Sequence, residues 1–271
     1  MTAEEAVASL RACQEELLGF VRRCLEITNA YAVEENPSQL TLAYAASRVA
    51  ISNALTDSLS LLEKERLFSA GAILRRALEI TYVNVLLVRK RDQGANLLVL
   101  WMRRSRASSL QELIASEAPD GTDKSPFITE AAELKKKLAN GDRSRVTEEQ
   151  LAKWAGLEND HDLIYSRLNP FCHFNLSDVL HEYDDYRGDQ YDPVTLGALR
   201  LPIKIELLLI ALRIGLYVLI GMRDFGVAQI AGDVETIATI LRVNEEKWQD
   251  ANIVLGRYLN EIAARREDAS E

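Results

Sequence analysis

Residues 162–181 hold the side chains whose types and spacing suit acid–base chemistry. A tyrosine, an arginine, an asparagine and two histidines surround one proline, and these residues are Tyr165, Arg167, Asn169, Pro170, His173 and His181. Histidine changes its charge most readily near neutral pH, and an arginine can stabilise negative charge that develops during a reaction. We therefore expect the activity of this chain to centre on this stretch, along a helix that the proline breaks or kinks.

A second polar group lies on the helix predicted over residues 68–91. Arg75, Glu79 and Tyr82 recur at helical spacing and share one face. The ordinary interpretation of Arg75 and Glu79 is an i,i+4 ion pair at the surface. The sharper interpretation is that this face points into the bundle, because its flanks are strongly apolar and a charge there needs a partner.

Residues 75–106 are basic in a chain that is acidic as a whole. The formal net charge is −9, yet this stretch has eight arginine or lysine residues and two acidic residues. The overall charge argues against broad, sequence-independent binding of duplex nucleic acid, which needs many cationic contacts to phosphates. The local excess indicates either an anionic partner or a solvated pair of helices.

The sequence has no glycine-rich phosphate loop, no Gly-x-Ser-x-Gly elbow and no His-Glu-x-x-His zinc helix. A metal site is conceivable from four side chains, which are His173, His181, Glu182 and Asp184. Their spacing matches no standard ligand set. We therefore expect no metal and no cofactor.

Length and composition predict an all-α fold. The chain has 271 residues, 48% of them apolar, with only 13 glycine and 6 proline residues. That is enough apolar content for a sizeable core, and the period-2 runs and turn residues typical of sheets are missing. We expect a multi-helix bundle that forms one helical domain over residues 1–271.

Helical periodicity and capping residues predict where the helices that position these side chains begin and end. Thr2 and Glu5 predict a capping box for the first helix, and Asn36 suits the cap of the second. Residues 118–160 have the weakest apolar periodicity and predict an insertion over the bundle. His161, in a run of acidic residues and asparagine, is expected to be a solvated loop residue.

Three features bear on where the protein works. The three cysteines form no Cys-x-x-Cys pair, which fits a reducing cytosol, and the first residues do not resemble a secretory signal. Residues 205–222 approach the length of a membrane span, but Arg213 at their centre would be costly in lipid. We expect a cytoplasmic protein with no membrane partner, in which this run is the buried central helix.

Two motifs together resemble an uncharacterised bacterial family of helical proteins. Its members pair an Arg-x-x-x-Glu helix with a later Tyr-x-x-Leu and a following histidine, and the matching residues here are Arg75, Glu79, Tyr165, Leu168 and His173. That family is similar to HEPN domains, many of which are metal-independent ribonucleases with an arginine shortly before a histidine. Arg167 and His173, separated by five residues, fit that spacing. The likeness covers about residues 68–220, so we expect a HEPN-like core at residues 68–225 with extra N- and C-terminal helices.

The resemblance implies a role for each matching residue. His173 would be the acid and base for attack of a ribose 2′-hydroxyl on its own phosphate, Arg167 would stabilise the developing charge, and Asn169 would orient either group. The surrounding binding residues would be Arg75, Glu79, Tyr82 and Tyr165. Such sites are usually completed by a second protomer, which implies a homodimer.

Two functions of different class follow. The first is a HEPN-like ribonuclease or RNA-binding effector, of a toxin or phage-defence kind, with RNA and a possible further protein as partners. The alternative is a non-catalytic helical scaffold or dimerisation protein. In that alternative His173 is hydrogen-bonded to Glu79 or Tyr82 inside the bundle, because buried polar groups need partners in any case.

Overall fold

The computed structural model describes residues 1–31, 38–116, 123–138, 147–172 and 192–268. Within these ranges every regular element is helical, which confirms the predicted all-α bundle. The long helices, α1 to α7 in chain order, are Ala3–Asn29, Gln39–Glu63, Leu67–Ala115, Ser125–Lys137, Glu148–Ala155, Pro193–Asp224 and Ala231–Asp268. A further helical stretch between α5 and α6, residues 158–171, is named the site segment.

Helix α6 is the centre of the bundle and contacts α1, α2, α3 and α7. By length and composition alone it could cross a membrane, with a mean hydropathy of 2.1. In the folded protein 78% of that apolar window is buried, and Leu208, Leu212 and Leu219 are wholly enclosed. The apolar run therefore packs against other helices, as predicted for a central core helix.

Side-chain caps fix the N-terminal ends of α1 and α2. The Thr2 hydroxyl accepts a hydrogen bond from the Glu5 backbone N–H at 3.2 Å, and the Glu5 carboxylate accepts one from the Thr2 N–H at 2.8 Å. The predicted capping box is thus confirmed. Asn36, the predicted cap of α2, lies outside the described residues, and Ser38 caps this helix instead by accepting from the Thr41 N–H at 3.1 Å.

Helix α3 contains two of the predicted helices, joined at a kink with no loop between them. Arg91 at the kink has a φ of 48°, a left-handed conformation that is costly for a residue with a side chain. Its guanidinium lies 4.4 Å from the centroid of the Phe225 ring and donates to the Asp224 carbonyl at 3.1 Å. A Cβ at Gly94 would lie 2.6 Å from the Leu86 carbonyl oxygen, so the backbone after the kink requires glycine.

The predicted insertion contributes α4 and α5, and α5 reaches the site segment. Arg89 of α3 donates to the carbonyl oxygens of Ala155 at 2.7 Å and Gly156 at 3.1 Å, which caps the C-terminal end of α5. Gly156 has a φ of 70°, a conformation that glycine adopts without strain. Helix α3 therefore fixes the end of α5 that leads into the site segment, while the limits of the insertion and of the core at 68–225 stay predictions.

The site segment is built from irregular helical turns. It passes through an α-turn at Glu158–Asp160, a π-helical stretch at His161–Tyr165, an α-turn at Ser166–Leu168 and a 3-10 turn at Asn169–Phe171. Pro170, predicted to break this helix, lies in the last of these turns. Isolated π-helical turns occur frequently at functional sites.

Candidate functional site

Arg75 of α3 is the centre of a polar cluster on one face of the site segment. Its guanidinium donates to Asn169 Oδ1 at 2.9 Å and to the Tyr165 hydroxyl, and its Cζ lies 4.3 Å from the centroid of the Tyr165 ring. The Glu79 carboxylate is 3.6 Å from Arg75 Nε. The fold thus brings together four of the predicted site residues from stretches that are 90 or more residues apart.

The Glu79 carboxylate pairs with two guanidinium groups. Glu79 also pairs with Arg76 at 3.1 Å. The Arg76 side chain is 69% exposed, whereas those of Arg75 and Glu79 are 16% and 19% exposed, so the i,i+4 pair is not an ordinary surface pair. We name the set of Arg75, Arg76, Glu79, Tyr165 and Asn169 the Arg75 face.

Tyr82 and His161 form a buried pair beside the Arg75 face. The Tyr82 hydroxyl lies 3.1 Å from His161 Nδ1, and the His161 ring stacks on the Tyr165 ring with centroids 4.4 Å apart. His161 is 8% exposed, so its prediction as a solvated loop residue is wrong: the π-helical turn carries it into the interface with α3. Burial strongly raises the pKa of Tyr82, which keeps its hydroxyl protonated.

The charge states on the Arg75 face follow from burial and neighbours. Burial alone lowers the pKa of Arg75, but the neighbouring Tyr165 and Cys172 side chains raise it overall. Burial raises the pKa of Tyr165, and Glu148 and Glu79 add to that effect against Arg75. At neutral pH the face therefore presents a cation beside a neutral hydroxyl and an amide, groups that can contact a phosphate oxygen.

Close packing fixes the register of the site segment on α3. A Cβ at Gly71 would lie 2.4 Å from Cγ of Phe171, so this ring can seat only against a glycine. The Phe171 ring also contacts Phe68, with centroids 5.3 Å apart. Ile164 and Leu168 are buried in the same core, and together these contacts hold Tyr165 and Asn169 against Arg75.

Arg167 lies on the opposite face of the site segment. It pairs with Glu206 of α6 at 3.2 Å, and its Cζ lies 5.7 Å from the centroid of the Trp248 ring of α7. Burial raises the pKa of Glu206, although Arg167 acts to lower it. The structure therefore brings Asn169 to Arg75 but does not bring Arg167 into that cluster.

A second arginine, Arg213 of α6, forms ion pairs on this opposite face. Arg213 pairs with Asp160 at 3.0 Å and with Glu245, and Asp160 also hydrogen-bonds Tyr217. Arg213 is thus the partly buried partner of two carboxylates, which accounts for a charge in the middle of an apolar helix.

His173 lies outside the described residues, as do His181, Glu182 and Asp184, so the acid–base assignment and the conceivable metal set both stay predictions. His173 directly follows Cys172, the described residue whose thiol contacts Arg75. In the part of the chain that the structure describes, no three His, Cys, Asp or Glu side chains converge as metal ligands would.

Much of the predicted basic stretch is used in internal contacts. Arg89 caps α5, Arg91 stabilises the kink of α3, and Arg106 makes a two-bond pair with Glu130 of α4 at 2.8 Å. These three arginines position helices, whereas Arg75 of the same stretch contacts the site segment and Arg76 pairs with Glu79 beside it.

Comparison with protein-family profiles, curated proteins and solved structures finds no match to this chain. The likeness to HEPN domains is accordingly a proposal.

Sequence reasoning missed several residues that shape the two faces. His161 precedes Tyr165 by four residues, and this i,i+4 spacing would have placed both on one helical face. The contacts of Glu206 and Trp248 with Arg167 join stretches far apart in the chain, so no local sequence pattern predicts them.

Proposed function

We propose that this chain is a HEPN-like effector that binds RNA and cleaves it without a metal, with the Arg75 face towards the phosphate. The observation that carries the proposal is the set of contacts around Arg75. The guanidinium of this partly buried residue is hydrogen-bonded to a neutral hydroxyl and an amide. The neighbouring Cys172, which raises its pKa, is the residue directly before His173 in the sequence. Such a fixed guanidinium is suited to an oxyanion whose charge increases during a reaction.

In the proposed reaction His173 takes the proton from a ribose 2′-hydroxyl as the 2′-oxygen attacks the adjacent phosphorus. The bond from phosphorus to the 5′-oxygen breaks, and protonated His173 gives its proton to that oxygen, which yields a 2′,3′-cyclic phosphate, a free 5′-hydroxyl and neutral His173. A guanidinium stabilises the extra charge on the phosphorane oxygens, and Asn169 orients it.

We assign this guanidinium to Arg75 and keep Arg167 as the second candidate. Arg75 lies with Asn169 and Tyr165 on one face of the site segment, whereas Arg167 pairs with Glu206 on the opposite face. A guanidinium held by fixed hydrogen bonds needs no reorganisation when charge develops on a phosphate. The contacts of Arg75 with Asn169 and Tyr165 also support a role for these residues in binding.

The remaining parts of the proposal come from the HEPN resemblance. They are a homodimer in which the second protomer completes the site, and a role in toxicity or phage defence together with a possible protein partner. The proposed cytoplasmic location depends instead on the cysteine pattern and the first residues of the sequence.

The test is incubation of purified protein with single-stranded and hairpin RNA in EDTA, with mapping of the RNA ends. We expect cyclic-phosphate ends from the native chain and a loss of at least about 100-fold in His173→Ala and Arg75→Ala. The control is Arg22→Ala, which should cleave normally. Arg22 is an exposed arginine on the remote helix α1, where it pairs with Glu63 of α2. Unchanged cleavage by His173→Ala would contradict the acid–base assignment.

The second candidate is a non-catalytic helical scaffold that dimerises. It is favoured by exposed large apolar side chains on α3 beyond its kink and on α4, which are Val99, Met102, Leu113 and Ile128. If the native chain neither binds nor cleaves RNA yet forms dimers in light scattering, the scaffold is correct. A monomer over a broad concentration range would contradict it.

A further inference from the structure

A cleft opens on the side of the site segment away from Arg75. It lies between the site segment, α6 and α7, and has a cavity volume of about 110 Å³, several times the space that one water molecule needs. Leu209, Ile210 and the Trp248 ring form its apolar wall, and Glu206 and Glu245 are its carboxylates. The Trp248 indole donates to the Pro202 carbonyl at 2.8 Å, which fixes the ring in the wall.

Arg167 already places a guanidinium in this cleft. The guanidinium is 3.2 Å from Glu206, and its Cζ is 5.7 Å from the Trp248 ring centroid. A carboxylate beside an indole face is the combination that binds organic cations. Because the Arg167 side chain is 40% exposed, it can leave the cleft without opening the core.

The charges of the cleft favour a cation when Arg167 leaves. Two carboxylates, Glu206 and Glu245, line the cleft together with Arg167 and Arg213, and Arg213 also pairs with Asp160 outside the lining. Departure of Arg167 therefore removes the ion-pair partner of Glu206. Burial raises the pKa of this carboxyl even with Arg167 present, so an unpaired charge there is costly and a replacement cation relieves the cost.

We propose that this cleft binds a small organic cation carrying a guanidinium or primary amine group, and that Arg167 occupies it as an internal competitor. An alkylguanidinium fits best because it reproduces both contacts of Arg167, to the Glu206 carboxylate and to the Trp248 ring. The cleft lies on the face of the site segment opposite Arg75, the residue assigned to the RNA chemistry above.

The test is titration with methylguanidinium, followed by NMR of the tryptophan indole N–H signals in ¹⁵N-labelled protein. The chain has three tryptophans, so Trp101 and Trp154 serve as internal references and Trp248→Phe assigns the reporting signal. We expect a shift of the Trp248 signal alone. N-methylurea, which is neutral and of similar shape, should leave that signal in place.

Removal of the internal competitor gives the decisive comparison. If Arg167 fills the cleft about nine-tenths of the time, Arg167→Ala should bind methylguanidinium about tenfold more tightly than the native chain. Adding Glu206→Gln should abolish that binding. Arg167→Gln, which keeps most of the side-chain stem, replaces Arg167→Ala if the latter does not fold. Affinity unchanged by loss of Arg167, an equal response to N-methylurea, or no shift specific to Trp248 would each overturn the proposal.

Discussion

Each of the two faces of the site segment has an arginine, but the two arginines have different partners. On the Arg75 face the guanidinium bonds a hydroxyl and an amide, and it shares the Glu79 carboxylate with a second arginine. On the opposite face Arg167 pairs with Glu206 in a cleft whose other charged lining residues are Arg213 and Glu245.

This difference shows that the position of an arginine in a motif does not decide its chemistry. The Arg75 face can gain a contact from an added anion, whereas the Arg167 cleft can gain one from an added cation. A single helical segment thus separates the proposed phosphate surface from the proposed cation cleft.

The largest expected effect comes from loosening the segment that separates the two faces. Leu168 is fully buried, so Leu168→Ala should lower the free energy of unfolding by about 3 kcal/mol through lost burial and a cavity. Leu163→Ala on the same segment is the control, since Leu163 is 46% exposed and should cost less than about 1 kcal/mol. Urea denaturation measures both, and equal losses would show that Leu168 is not the anchor.

The buried pair behind the Arg75 face should have the next largest effect. Tyr82→Phe removes the hydroxyl 3.1 Å from His161 Nδ1 and leaves a buried ring nitrogen without this partner. We expect a loss of about 1–3 kcal/mol in thermal or urea unfolding. Tyr258→Phe, which removes a partly buried hydroxyl 3.1 Å from Thr195 Oγ1, should cost less. A Tyr82→Phe protein as stable as the native chain would refute a structural role for the pair.

A smaller effect tests the packing that holds Asn169 at Arg75. In Gly71→Ala the new Cβ meets Phe171, so the ring must move, at a cost of about 1–3 kcal/mol that the better helix propensity of alanine offsets by about 1 kcal/mol. Gly19→Ala on α1, where nothing lies within 4 Å of the new Cβ, should be stabilising instead. Stabilisation of similar size in both variants would contradict the close contact.

The smallest effect concerns the Arg167 cleft and depends on pH. Because burial raises the folded-state pKa of Glu206 above its unfolded value, this group supports stability at low pH, and that contribution is lost as pH rises through the folded pKa. Glu206→Gln should therefore gain stability relative to the native chain from pH 4 to pH 7 by less than about 1 kcal/mol. Urea denaturation across this range measures the difference, and a relative loss at neutral pH would show that the ion pair outweighs burial.

The spacing of residues along the sequence correctly predicted the features that depend on helical periodicity. The capping box at Thr2, the central apolar helix and the shared face of Arg75 and Glu79 all follow from neighbours within one or two turns. The same rule separates Arg167 from Tyr165 and Asn169, since residues two apart on a helix point in different directions.

The rest depends on contacts that no local pattern encodes. The pairing of Arg167 with Glu206, the contact of His161 with Tyr82 and the packing of Phe171 on Gly71 arise where the site segment meets α3 and α6. The π-helical turn at His161–Tyr165 also changes which residues share a face, and it follows from packing rather than from residue propensity.

The most direct test of the account is the affinity of two variants for a short single-stranded RNA with 2′-O-methyl riboses, which has no 2′-hydroxyl for cleavage, measured by fluorescence anisotropy in EDTA after circular dichroism has verified their folding. Arg75→Ala should bind at least about tenfold more weakly than the native chain, because charge-assisted hydrogen bonds to phosphate are lost. Arg167→Ala should bind as the native chain does, since Arg167 faces Glu206 and not the Arg75 face. Loss of binding in Arg167→Ala with full binding in Arg75→Ala would contradict the assignment of the phosphate to the Arg75 face.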